Sequence, residues 1–88
     1  MDPAFSLQLV STALTIADKL FEVDAHAADE LRETALVYRS RVLEFKAYTT
    51  SSKVGMALVE ALERQMERDS YIFQRTLERC ERRLRIEG

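Results

Sequence analysis

The chain is poor in the residues that most often carry chemistry. It has one cysteine, one histidine, one proline, two glycines and no tryptophan. A lone cysteine, Cys80, excludes an intrachain disulfide framework and a cysteine metal cluster. His26, in "DAHAAD", has no second imidazole or cysteine at metal-ligand spacing, so no metal site is expected. Two glycines are too few for a phosphate-cradling loop, and neither a nucleophile elbow nor a zinc motif is present. The expectation is therefore no catalytic residue, no cofactor and no small-molecule substrate. No apolar run approaches the ~20 residues that a membrane span needs. The N-terminus lacks the charged-then-apolar order of a secretory signal. A cytoplasmic or other reducing compartment is expected, although signal-less export is compatible with the same features. With a net charge of −2, no overall basic field recruits nucleic acid.

What remains is apolar and charged in helical proportions: 47% hydrophobic and 32% charged over 88 residues. That is the profile of a helical bundle or coiled coil, and far from that of a disordered chain. The length suits one small domain. "MDPAF", residues 1–5, is set aside as a disordered end or a cloning remnant.

Three segments repeat at helical spacing. In the first, Leu7, Val10, Leu14, Ala17 and Phe21 recur beside Leu9, Ala13, Ile16 and Leu20. With Ser6 as N-cap this predicts a helix over about 6–23. In the second, Ala28, Leu31, Ala35, Tyr38, Val42 and Phe45 alternate steps of three and four, a heptad seam. With Asp24 as N-cap the helix covers about 27–48. "TTSS", residues 49–52, then favours a turn, because short hydroxyl side chains bond their own backbone in competition with helix.

The third segment runs about 52–86, with Gly55 in its first turn. Val59, Leu62, Met66, Asp69, Phe73, Leu77, Cys80 and Leu84 keep close to 3.6 residues per turn. Asp69 and Ser70 could start a fresh helix, but Ile72 and Phe73 stand where a capping box needs Glu or Gln. The helix is expected to run through. Glu60–Arg64, Glu78–Arg82 and Glu81–Arg85 offer i,i+4 pairs on its outer face. Val42, Phe45, Leu62 and Met66 are expected in the core.

The fold expected is all-α: three helices, an antiparallel hairpin and a long, coiled-coil-like C-terminal helix. At about 1.5 Å per residue the second helix spans roughly 35 Å and the third roughly 52 Å. The third should then overshoot by about ten residues, leaving Ile72, Phe73, Leu77, Cys80 and Leu84 without an intrachain partner. Such a stripe reads as a partner interface, most simply within a homo-dimer, or toward a helical protein partner. Residues 1–37 are acid-rich and residues 64–85 arginine-rich, so the halves can pair within or between chains.

"YRSRVLEFKAY", residues 38–48, is similar to the Tyr/basic/acid/aromatic pattern in the second helix of type III secretion needle subunits, which are small helical hairpins. The likeness covers eleven residues, and the Arg/Glu-rich tail departs from that family. It implies a small helical secretion-apparatus subunit. The residues themselves favour a non-enzymatic oligomerisation module that acts as a scaffold, adaptor or chaperone-like regulator. The competing reading is a nucleic-acid-associated regulator using Arg75, Arg79, Arg82, Arg83 and Arg85, a cluster interrupted by Glu78, Glu81 and Glu87.

Overall fold

The computed structural model describes residues 3–50, 53 and 55–87. Three helices follow one another, α1 (Pro3–Leu20), α2 (Ala25–Thr49) and α3 (Met56–Glu87), with no strand among the described residues. The arrangement is the all-α hairpin expected. α2 is central: it packs against α1 on one side and α3 on the other, while α1 and α3 meet more sparsely.

Each boundary has a local cause. Pro3 opens α1, where its missing N–H costs nothing and its fixed φ suits the first helical position. Ser6 is therefore inside the helix and not its cap. It is buried, and its hydroxyl accepts a 3.0 Å hydrogen bond from the Tyr38 hydroxyl. α1 stops at Leu20, three residues before the expected end, where the Val23 and Asp24 N–H groups fold back onto the Leu20 carbonyl. Asp24 caps α2 as expected, its carboxylate accepting from the Ala27 N–H at 3.0 Å. At the other end, the Thr49 hydroxyl donates to the Lys46 carbonyl and that of Thr50 to the Ala47 carbonyl. That is the backbone competition by which "TT" ends a helix. Ser51 and Ser52, the caps expected for α3, lie outside the described residues.

α3 starts four residues later than expected. The Gly55 carbonyl accepts from the Leu58 and Val59 N–H groups, so Gly55 flanks the helix and does not weaken its first turn. From Met56 the helix is continuous through Asp69 and Ser70. Asp69 occupies the seam because it faces a cation: its carboxylate accepts from Arg41 Nε on α2 at 3.0 Å, with the Asp69 side chain only 18% exposed.

The core joins Val10, Ala13, Ala17 and Leu20 of α1 to Leu31, Tyr38 and Val42 of α2 and to Met66, Phe73 and Leu77 of α3. Tyr38 and Phe73 stack at its centre, 5.3 Å between ring centroids and 23° between planes. Val42 and Met66 are core as expected, whereas Phe45 and Leu62 are only half-buried. They lie toward the hairpin end. Along α3 the line Met56, Glu63, Ser70, Leu77 changes from exposed to buried between Glu63 and Ser70. We read that change as the level at which α1 begins to cover the hairpin.

Candidate protein interface on the open face of the hairpin

Of the five residues expected at an interface, only Ile72 is exposed, at 48%. Phe73, Leu77 and Cys80 are buried in the chain's own core, and Leu84 is partly buried against it. The expectation that they lack an intrachain partner is corrected, and the cause is register. Arg41 meets Asp69, Glu30 meets Arg79, the Cys80 thiol lies 3.7 Å from the Ala27 carbonyl, and Asp24 meets Arg83. These pairs set the C-terminal half of α3 beside the N-terminal half of α2, close to its very start. The surplus length of α3 is thus shared between both ends of the hairpin. Apolar residues are also left uncovered at the turn end, where Met56 is 72% exposed and Tyr48 and Leu58 are exposed too.

The same register uses the charge asymmetry inside the chain. Arg79–Glu30, Arg83–Asp24, Arg41–Asp69 and Arg32–Asp18 all link one helix to another or to the cap of another. The i,i+4 pairs expected along α3 do not form among the described residues. The Cys80 thiol is held above its ordinary pKa, first by burial, with the Glu30 and Asp24 carboxylates adding to the rise and Arg79 opposing it. A thiol so placed stays protonated at neutral pH and behaves as a small apolar core residue. His26 is exposed in the first turn of α2, and no group of metal-ligating side chains forms among the described residues. No helix among the described residues is long and apolar enough to cross a membrane.

With the expected stripe buried, the surface that stands open is the α2–α3 face away from α1. Two adjoining furrows run along it and share Thr34 and Ile72. One, of about 360 Å³, lies between Glu30 on α2 and Tyr71, Arg75 and Arg79 on α3. The other, of about 150 Å³, is bounded by Glu33, Val37 and Asp69. Val37 (44% exposed), Ile72 and Tyr71 supply an apolar floor. The edges differ in sign. At the end nearer the start of α2, Glu30 and Glu33 line the α2 side, while Arg75 and Arg79 line the α3 side; toward the turn the sign reverses, with Arg41 on α2 facing Asp69 on α3. Arg75 sits over the Tyr71 ring, its guanidinium carbon 5.7 Å from the centroid, which holds the cation on that edge.

A larger furrow of about 460 Å³ separates α1 from α2, between Leu7, Val10 and Leu14 on one side and Arg39 and Leu43 on the other. It has one charged residue and no opposed edge, so it offers shape without a polarity that would orient a partner. Val37 and Tyr71 were missed in the sequence because both lie outside the seam. The spacing of Leu58, Gln65, Ile72 and Arg79 by sevens would have traced this second face of α3.

Comparison with protein-family models, with curated proteins and with solved structures finds no match for the chain. The face itself therefore carries the functional reading.

Proposed function

We propose that this chain is a non-enzymatic helical interaction module that works by self-association, serving as a scaffold, adaptor or chaperone-like regulator in a reducing compartment. One observation carries the reading: α1 leaves one whole side of the hairpin open, and large apolar side chains stand on it. Val37, Tyr71 and Ile72, which line it, are all more than two-fifths exposed. Scattered apolar residues on a surface mean little, but a file of them along one face marks a contact surface. The uncovered turn end extends the same surface.

The nucleic-acid reading is the weaker one. Arg79 and Arg83 face carboxylates of the same chain, at 2.8 and 3.5 Å. Neutralised arginines release no counterions when they meet phosphate.

Sedimentation at micromolar and sub-micromolar protein tests the reading. The expected result is twice the 10.2 kDa chain mass at the higher concentration, falling on dilution. A single-chain mass throughout would overturn self-association, and salt-sensitive binding to DNA or RNA would then favour the competing reading.

A further inference from the structure

We propose that the open α2–α3 face binds a second copy of this chain about a two-fold axis parallel to the helices, with Glu33 of each copy meeting Arg75 of the other. The proposal rests on the self-association reading and adds the surface, the symmetry and the pairing.

The polarity of the face selects the symmetry. An isologous dimer presents one patch to itself, so the patch must be self-complementary. A two-fold axis perpendicular to the helices and lying in the contact plane would lay α2 over α2. With that axis at the level of Glu33 and Arg75, each of the two would face its own copy. Like charges brought together in this way oppose association. An axis parallel to the helices lays α2 of one copy over α3 of the other, and the acidic edge meets the basic edge. It also makes every neighbouring pair of helices antiparallel, as in an up-down four-helix bundle.

The level is fixed within the chain. Glu30 and Arg79 meet across the furrow at 2.8 Å. Glu33 stands about one turn from Glu30 along α2, and Arg75 one turn from Arg79 along α3 in the opposite chain direction. Glu33 and Arg75 are thus at one height on opposite edges of the face. Both are exposed, and neither makes an ion pair among the described residues. A rotation about the parallel axis keeps height and exchanges edges, so each finds its opposite on the other copy. Val37 and Ile72 then meet near the axis. The area is adequate too. The molecule is 49 Å long and 18 Å wide, and a standard interface takes about 800 Å² from each partner.

The test uses two single charge reversals, Glu33→Arg and Arg75→Glu, each purified alone and then mixed. Alone, each variant places two like charges at both reciprocal contacts, and its dimer dissociation constant should rise at least about tenfold. Mixed, Glu33→Arg supplies two cations and Arg75→Glu two anions, so both contacts become complementary. Native mass spectrometry should show the heterodimer in preference to either homodimer. Circular dichroism checks that each variant keeps its helicity. If a reversal unfolds the chain, Val37→Ser and Ile72→Ser replace it: loss of the dimer with helicity retained supports the surface, and an unchanged mass overturns it. A dimer that tolerates either reversal, or a mixture that stays monomeric, overturns the proposal while leaving self-association standing. A wild-type chain that is monomeric at every concentration overturns both.

Discussion

Replacing Phe73 with alanine is the most direct test of whether the third helix spends its apolar stripe inside the chain. Phe73 is fully buried, and its ring stacks on Tyr38 at 5.3 Å. Truncating a fully buried phenylalanine costs about 3–5 kcal/mol, from lost transfer free energy and the cavity left behind. A domain of this length has a total stability of about 4–13 kcal/mol. The variant should therefore lose from about a quarter of its stability to all of it. With a urea m-value of about 1–1.5 kcal/mol/M, the unfolding midpoint should fall by about 2–5 M, or the variant should be partly unfolded without denaturant. Far-UV circular dichroism reads this, and a range of protein concentrations separates folding from association. A loss below about 1 kcal/mol, accompanied by a halved solution mass, would refute the reasoning, because it would put Phe73 between chains.

Leu77→Glu should behave likewise: a carboxylate forced into the core without a partner should abolish helicity, whereas an interfacial Leu77 would leave a folded monomer. Asp69→Ala leaves the half-buried Arg41 guanidinium without its main partner and should cost about 1–2 kcal/mol in urea melts, discounted for partial exposure; a neutral result would mean the pair contributes nothing. The Cys80 thiol has a folded pKa above its unfolded one, so the unfolded chain releases a proton first as pH rises. Stability should be at its full value below about pH 8.5 and fall as pH climbs from there toward the folded pKa. Cys80→Ala should flatten that slope above about pH 8.5, and an unchanged slope would assign it to other groups.

Helix number, order and pairing were legible because each rests on periodicity, which is local. The Ala28–Phe45 seam and the Val59–Leu84 stripe both describe real helix faces, and the Asp24 cap and the Thr49–Thr50 stop act through bonds spanning three or four residues. The relative slide of α2 and α3 was not legible. Helix lengths alone allow the surplus of α3 to fall at either end, and placing it all at the C-terminus made core residues look like an interface. What sets the slide is non-local: Tyr38 against Phe73, Ala27 against Cys80 and the cross-helix ion pairs. Ser6 was misread for a related reason. Near an N-terminus its hydroxyl suits a cap, and only the tertiary partner Tyr38 explains a serine inside the helix.

Asp69 shows how one residue can be unfavourable locally and useful globally. A carboxylate in an apolar seam is a poor helix-core residue, yet the chain around it does not break. Its partner Arg41 stands on the α2 edge of the open face, where it also lies 4.0 Å from Glu44. Sliding α3 by one turn would separate Arg41 from Asp69 and, at the same time, Arg79 from Glu30 and Arg83 from Asp24. Three charge pairs thus oppose the slips that an apolar seam with a seven-residue repeat would tolerate, a register-setting use of polar groups known from coiled coils. The same register places Glu33 level with Arg75. A hairpin that slid by a turn would lose its internal pairs and the alignment of Glu33 with Arg75 together, so hairpin register and the proposed dimer symmetry depend on the same alignment.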